Sequence, residues 1–149
     1  MSESLHIVCP ACGAVNRAPR ERLAQARCGT CHQPLFEAHA LAVDEPGFER
    51  QVTKNDIPVL VDLWGTWCPS CRVLDPHFER AAAALEPQVR LVKLEVDKAP
   101  ATSERLGIHA IPTMILFERG TELARLVAVR TTDAIVRWVQ DTLAAEHRS

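Results

Sequence analysis

Three cysteine pairs with the same spacing are the residues of this sequence best suited to do chemistry. Two residues separate the cysteines of each pair, and the pairs are Cys9/Cys12, Cys28/Cys31 and Cys68/Cys71. The third pair follows an apolar run that contains one carboxylate, Asp62. A cysteine pair of this kind within a strand–helix pattern is typical of dithiol–disulfide exchange, whereas two pairs close together are typical of a zinc site.

Cys68 and Cys71 carry the predicted redox chemistry. The thiolate is the reactive form, and the unpaired N–H groups at a helix N-terminus lower the pKa of a thiol. We therefore expect an exposed Cys68 to attack a substrate disulfide and a more buried Cys71 to resolve the mixed disulfide. Asp62 is the candidate base for Cys71, because burial raises the pKa of a carboxyl group. An exposed position at a sheet edge is the alternative for Asp62.

The four N-terminal cysteines predict a structural zinc site. Fifteen residues separate the two pairs. Each pair forms a tight turn that presents two thiolates, so two pairs complete a tetrahedron. Gly13 and Gly29 suit the turns after and between the ligands. Disulfides are the alternative, which a reducing compartment would disfavour. His32 is not needed as a ligand, since the cysteines suffice.

Two domains are expected to position these cysteines. Residues 1–37 have little apolar content, and a segment this short needs a staple, so we expect a small zinc ribbon there. Residues 38–149 alternate strands and helices, which predicts an α/β domain whose central mixed sheet is flanked by helices. The expected strands are 40–43, 57–64, 89–96, 113–117 and 122–129. The expected helices are 44 or 45 to 54, 69–85 with a kink at Pro76, 100–106, and a last helix capped by Thr131 or Thr132.

Several separated segments of the sequence resemble the thioredoxin family. They are the run 61–64 with Trp67-Cys68-x-x-Cys71, Lys93 where the family keeps a lysine beside the buried acid, the helix proline Pro76, the cis-proline segment Ile111-Pro112-Thr113, and Gly120 of the last hairpin. The resemblance covers about residues 38–147 and implies the thioredoxin fold. It also implies protein-disulfide reductase activity, a role in electron transport, and re-reduction by an NADPH-dependent thioredoxin reductase.

The resemblance further implies where substrates bind. The backbone of Ile111 and Pro112 is expected to pair with an extended substrate segment, and Trp67 is expected to cover the cysteines. With Cys68 and Cys71, the implied catalytic residues are Asp62 and Lys93. No bound organic cofactor is implied.

The two residues between the redox cysteines depart from the family pattern. Thioredoxins usually carry Gly-Pro there, whereas this chain has Pro69-Ser70. Proline is well tolerated at the first helical position. With proline at position 69 rather than 70, residue 70 keeps its backbone N–H group, and as a serine it also carries a hydroxyl. Either group could donate to the Cys68 thiolate. We therefore predict a redox pair more oxidising than that of an ordinary thioredoxin.

The combination of a zinc ribbon and a thioredoxin domain resembles the bacterial thioredoxin-2 type. The cofactor implied is a structural Zn²⁺ ion held by Cys9, Cys12, Cys28 and Cys31. In that group the ribbon is thought to be redox-sensitive, so that oxidation of the thiolates ejects zinc. We take this as a hypothesis for the present chain.

Composition narrows the partners and the compartment. The net charge of −2 disfavours nucleic acid, and no apolar run is long enough for a membrane span. The first residues lack the basic and apolar regions of a signal peptide, so we expect a cytoplasmic monomer that acts on disulfide-containing proteins. A redox-regulated chaperone or adaptor, which would use the thioredoxin domain only as a binding platform, is the alternative. A disulfide oxidase is a third possibility, which the missing signal peptide disfavours.

Overall fold

Alternating apolar strands and capped helices build the chain, which a computed structural model describes over residues 3–148. Residues 1, 2 and 149, at the outer ends of the two predicted domains, lie outside the described residues. The strands are β1 (Ser4–Val8), β2 (Val15–Pro19), β3 (Leu41–Val43), β4 (Val59–Trp64), β5 (Arg90–Glu95), β6 (Thr113–Glu118) and β7 (Thr121–Leu126). The helices are α1 (Glu45–Lys54), α2 (Pro69–Leu85), α3 (Pro100–Leu106) and α4 (Thr132–Glu146).

Local sequence signals fix the helix ends. The Asp44 side chain accepts a hydrogen bond from the backbone N–H of Gly47 at 2.8 Å and caps α1. Thr131 caps α4 in the same way, as predicted. Gly107 ends α3 with a left-handed backbone (φ +65°), which a glycine adopts without steric cost. Helix α2 runs through Pro76 as one continuous helix.

The central sheet is mixed and five-stranded. Its strand order is β3-β5-β4-β6-β7. Strands β3 and β4 run parallel to β5, β6 runs antiparallel to β4, and β7 runs antiparallel to β6. Strand β7 ends at Leu126 rather than at the predicted Val129. Its last partner, Met114, lies one residue inside β6, and before that strand comes Pro112, which has no N–H group to pair.

The two faces of the sheet bury different helices. Side chains alternate along a strand, so Leu60 and Asp62 of β4 point to one face and Val61 and Leu63 to the other. Leu60 packs with residues of α2 and α4, whereas Val61 and Leu63 pack with residues of α1. Asp62 therefore lies under α2, the helix that begins at the redox cysteines.

The N-terminal segment has an apolar core that its composition did not predict. Strands β1 and β2 form an antiparallel hairpin. The buried apolar side chains beneath it are Leu5, Ile7, Ala18, Leu23, Leu35 and Phe36, together with Ile57 from the second domain. The ribbon thus shares its core with the domain that follows it.

A buried arginine joins the ribbon to the central sheet. Arg90, the first residue of β5, is 2% exposed, and its guanidinium donates to the carbonyl oxygens of Leu35 at 2.8 Å and Val8 at 2.9 Å. The same group lies 4.3 Å from the centre of the Phe36 ring. Burial raises the pKa of the neighbouring Glu86 carboxyl to about 7, against the opposing effect of Arg90.

Over residues 3–148, none of the helices combines the length and the apolar character that a membrane span needs.

Candidate active site and metal centre

The redox cysteines lie at the start of α2, directly after the central strand β4. The turn that joins β4 to α2 contains Gly65, where an added Cβ atom would lie 2.9 Å from Ile111 Cδ1 and 3.0 Å from Trp67 Nε1. A larger residue at this position would displace the side chains of Ile111 and Trp67. Cys68 is the N-cap residue of α2, and Pro69 is the first helical residue, a position that suits proline.

Cys68 and Cys71 are joined by a disulfide bond. Cys68 Sγ also accepts a hydrogen bond from the backbone N–H of Cys71 at 3.1 Å. The two residues are 3% and 4% exposed, so the expected exposed attacker and buried partner are not distinguished by burial in this disulfide form. They differ instead in position, because Cys68 lies at the positive end of the helix dipole.

The cis-proline segment lies against Cys68. The Ile111–Pro112 peptide bond is cis, and the carbonyl oxygen of Ile111 lies 3.9 Å from Cys68 Sγ. Trp67 is 64% exposed, and its indole N–H donates to Asp97 at 2.7 Å. The Asp97 partner was not predicted. The sequence-predicted residues Trp67, Ile111 and Pro112 are therefore adjacent to the disulfide.

Asp62 is buried beneath α2 with an unsatisfied oxygen. It is 1% exposed on the central strand, so the alternative of an exposed edge position is wrong. Its Oδ1 atom has no hydrogen-bond partner among residues 3–148. Burial raises the pKa of Asp62 to about 7, the negative charge of Asp75 adds to this effect, and Lys93 opposes it.

Lys93 pairs with Asp62 in the strand register but not as an ion pair. The two residues are opposite one another on β4 and β5. Lys93 Nζ lies 2.9 Å from Asp75 Oδ1 and 3.2 Å from Glu79 Oε1, and these are its ion pairs within the described chain. Sequence reasoning missed both carboxylates. Their signal was available, because Cys71, Asp75 and Glu79 are four residues apart and share one helix face.

A cavity connects these groups. Its volume is about 470 Å³, and its lining residues are Asp62, Trp64, Gly65, Thr66, Cys71, Arg72, Asp75 and Lys93. Trp64 Nε1, like Asp62 Oδ1, has no hydrogen-bond partner in the described part of the chain. A cavity of this size with polar groups aimed into it can hold water molecules. Asp62 and Cys71 both line this cavity.

The four N-terminal cysteines form a second centre. The Sγ atoms of Cys9, Cys12, Cys28 and Cys31 all lie within 4.8 Å of one another. Cys9 Sγ is 3.6 Å from Cys31 Sγ, and Cys12 Sγ is 3.6 Å from Cys28 Sγ. Tetrahedral zinc at its usual distance to sulfur needs ligand separations of about 3.8 Å. The residues therefore fit zinc, and His32 is not part of the cluster.

Backbone N–H groups shape each half of this cluster. Cys9 Sγ accepts from Ala11 N at 3.3 Å and Cys12 N at 3.5 Å. Cys28 Sγ accepts from Thr30 N at 3.4 Å and Cys31 N at 3.5 Å. These donors lower the pKa of Cys28 to about 5, the N–H group of Cys31 most strongly. At Cys28 they favour the thiolate that a metal needs, whereas burial and the neighbouring thiols raise the pKa of Cys31 to about 12.

In both ribbon pairs, the residue after the second cysteine has a left-handed backbone that reverses the direction of the chain. Gly13 has a φ of +79° and His32 a φ of +67°. The prediction for Gly13 is confirmed, whereas Gly29 has no positive φ and its N–H group instead bonds Asn16 Oδ1 at 2.8 Å. His32, set aside as a ligand, thus occupies the turn position that glycine occupies in the first pair.

Comparison with known proteins identifies the family. The thioredoxin family model matches residues 38–141. The chain belongs to the thioredoxin family. A second model, the N-terminal zinc ribbon of thioredoxin 2, matches residues 8–33, which contain all four ribbon cysteines. The thioredoxin fold with an N-terminal zinc ribbon is therefore the architecture of this chain.

Individual relatives agree with the family model. Thioredoxin C-3 of Corynebacterium nephridii is 36% identical over 138 residues, which cover 92% of this chain and 94% of that protein. Thioredoxin of Rickettsia bellii is 35% identical and covers 68% of this chain and 96% of its own length. The structure of a single-site mutant of a thioredoxin from Halobacterium salinarum superimposes with a TM-score of 0.64 at 25% identity, covering 72% of this chain and 93% of the other. The thioredoxin domain is a thiol–disulfide oxidoreductase.

Proposed function

We propose that this chain reduces disulfide bonds of other proteins in the cytoplasm and is re-reduced by an NADPH-dependent thioredoxin reductase. The observation that carries the proposal is the Cys68–Cys71 disulfide, which begins a helix between the exposed Trp67 and the cis peptide bond of Ile111–Pro112. Membership of the thioredoxin family and the buried Asp62 support it.

The reaction proceeds through a mixed disulfide. The Cys68 thiolate attacks one sulfur of the substrate disulfide, and the other substrate sulfur leaves as a thiolate that takes a proton from solvent. Cys71 then gives its proton to Asp62 and attacks Cys68, which releases the second substrate thiolate. The substrate gains two electrons, and the cysteine pair becomes a disulfide. Trp67 and the backbone of Ile111 and Pro112 hold the substrate segment during both steps.

Insulin reduction tests this function. The wild-type chain is expected to reduce insulin with dithiothreitol and with NADPH plus thioredoxin reductase, whereas Cys68→Ser and Cys71→Ser are expected to be inactive. Cys71→Ser should also trap a covalent adduct with a disulfide-bonded protein, which Cys68→Ser should not form. Full activity of either variant would contradict the proposal and would favour a binding platform that needs no thiol chemistry.

The ribbon cysteines hold a structural zinc ion in this proposal. Four thiolates complete its coordination, so no position stays open for a substrate. Oxidation of the thiolates is proposed to release the metal. Zinc release followed against peroxide dose tests this, and retention of the metal after the ribbon thiols are oxidised would contradict it.

The Cys68/Cys71 pair is proposed to be more oxidising than that of an ordinary thioredoxin. In the disulfide form, Ser70 Oγ lies 4.0 Å from Cys68 Sγ, and the Cys71 N–H group makes the hydrogen bond. A new hydrogen bond to the thiolate would be worth about 1.5–3 kcal/mol, or about 30–60 mV for a two-electron couple. Ser70→Ala is expected to lower the measured potential if the hydroxyl is the donor. A wild-type potential at or below that of ordinary thioredoxin would contradict the proposal.

A further inference from the structure

The surroundings of Lys93 differ from what its strand position suggests. Lys93 and Asp62 are opposite one another on neighbouring parallel strands, and both line the cavity beside Cys71. The shortest contact of the ammonium group is nevertheless with Asp75 Oδ1, at 2.9 Å, one helical turn beyond Cys71. Glu79, a further turn along α2, holds the same group at 3.2 Å. Two carboxylates on one helix face therefore hold the ammonium group of the lysine.

Asp75 and Glu79 differ in their position relative to Asp62. Asp75 lines the cavity, whereas Glu79 does not and also accepts a hydrogen bond from the backbone N–H of Ala40 at 3.0 Å. Asp62 Oδ1 has no hydrogen-bond partner among the described residues. The charged and titratable groups that face Asp62 or its lysine are Cys71, Arg72, Asp75 and Glu79 from α2 and Lys93 from β5. Arg72 donates to the carbonyl oxygen of Thr66 at 3.0 Å.

We propose that Asp75 is a positioning residue of the disulfide exchange: it holds the ammonium group of Lys93, so that Asp62 stays unpaired and able to take the Cys71 proton. A carboxylate paired directly with an ammonium group is a weak base, because the positive charge favours its ionised form. Both the separation of Lys93 from Asp62 and the negative charge of Asp75 keep Asp62 a stronger base. The role in exchange rests on the proposed function, whereas the effect on Asp62 does not.

Titration of Asp62 in the full-length disulfide form tests the proposal. The carboxyl ¹³C resonance is followed by NMR in the wild type and in Asp75→Asn, and Asp62→Asn assigns the signal. Asp75→Asn is expected to lower the titration midpoint by at least about half a pH unit. Glu79→Gln is the matched control, because Glu79 is the other ion-pair partner of Lys93 but does not line the cavity. A smaller shift in Asp75→Asn, or an equal one in Glu79→Gln, would overturn the proposal.

A second variant separates positioning from direct charge repulsion. If Asp75 acts by holding Lys93, Asp75→Asn should lower the midpoint by less than half as much in a Lys93→Met background. An effect of half the size or more would show that Asp75 acts directly on Asp62 and would overturn the positioning role. Asp75 is 49% exposed on the helix surface, so its substitution leaves the core intact.

Activity gives an independent readout. The acid limb of the pH profile of insulin reduction is expected to move to lower pH in Asp75→Asn, because Asp62 ionises earlier. An unmoved acid limb would remove Asp75 from the exchange reaction. Absence of insulin reduction by the wild type at every pH would instead contradict the proposed function, and the NMR titration would still decide what Asp75 does to Asp62.

Discussion

The same Cys-x-x-Cys spacing builds two different sites in this molecule, and the residue after the second cysteine marks the difference. In the ribbon that residue is Gly13 or His32, each with a positive φ. In all three pairs its N–H group donates to the carbonyl oxygen of the first cysteine, so the left-handed backbone, and not this hydrogen bond, makes the difference. In the thioredoxin domain the residue is Arg72, which continues into the 17-residue helix α2. The ribbon pairs therefore turn back and face one another, whereas Cys68 and Cys71 are joined to each other at the start of the helix.

The surroundings extend this contrast. The ribbon thiolates accept backbone N–H groups and meet two further thiolates, which suits a divalent cation. The redox pair has an unsatisfied carboxyl group beneath it and an exposed tryptophan beside it, which suits proton transfer and a protein substrate. The same spacing thus serves both sites, and the chain that follows the second cysteine decides what the sulfur atoms can bind.

Loss of a ribbon cysteine should have the largest effect on zinc binding. Cys28→Ser is expected to weaken zinc binding at least about 100-fold, because a structural site depends on all of its thiolates. Competition with a chromogenic chelator measures the affinity. Cys71→Ser is the matched control and should bind zinc as the wild type does. Equal loss of zinc in both variants would remove the distinction between the two kinds of site.

Removal of Arg90 tests whether the two regions are energetically linked. Arg90→Met breaks the hydrogen bonds to Val8 and Leu35 and leaves Glu86 buried without its partner. We expect a loss of about 3–5 kcal/mol in the free energy of unfolding at pH 8, measured by denaturant titration, together with faster zinc release.

Two further variants sharpen the Arg90 result. Adding Glu86→Gln to Arg90→Met should recover part of the loss, since no buried charge then remains uncompensated. Arg105→Met removes a surface ion pair with Glu49, whose side chains are 55% and 53% exposed, and should cost less than about 1 kcal/mol. An Arg90→Met variant that releases zinc at the wild-type rate would show that the ribbon is held independently.

The ionisation of Asp62 should make the free energy of unfolding depend on pH. Its pKa is raised to about 7 in the folded chain from 3.8, so the folded state holds a proton that the unfolded state loses first. The protonated acid therefore stabilises the fold below about pH 4, and this contribution falls as the pH rises to about 7. Asp62→Asn removes the effect and should be more stable than the wild type at pH 8 by up to about 4 kcal/mol, but not at pH 4.

Denaturant titration of the disulfide form at both pH values measures this difference. The surface variant Asp141→Asn is the control and should follow the wild type at both. A stability gain of Asp62→Asn that is equal at pH 4 and pH 8 would mean that repacking, rather than the ionisation of Asp62, is its cause.

Sequence reasoning reached the fold and the chemistry because both rest on local patterns. The apolar run of β4, the cap at Thr131 and the glycine after α3 are read within one element, and the observed α2 and α3 match their predicted bounds. The predicted end of β7 was wrong, because β7 stops where its partner strand meets a proline. A pattern within one strand cannot show that.

The missed features are contacts between distant segments. Arg90 is an ordinary charged residue in the sequence, and only the fold places it under the ribbon, 82 residues from Val8. The ribbon core was missed because its apolar residues are scattered and are completed by Ile57 of the next domain. The exception is the Asp75 and Glu79 pair, whose helical spacing from Cys71 was visible before the structure.

Glycine substitutions in the ribbon test the role of the turn after the second cysteine. Gly13→Ala places a Cβ on a left-handed backbone (φ +79°) and should cost about 1 kcal/mol in the free energy of unfolding, with weaker zinc binding. Gly29→Ala is the matched control, because its φ is not positive and the nearest atom to an added Cβ is Asn16 Oδ1 at 3.7 Å. His32→Gly should have the opposite sign and stabilise the ribbon, since it relieves a non-glycine residue at φ +67°. Equal effects of Gly13→Ala and Gly29→Ala would mean that the turn does not distinguish a metal-binding pair from a redox pair.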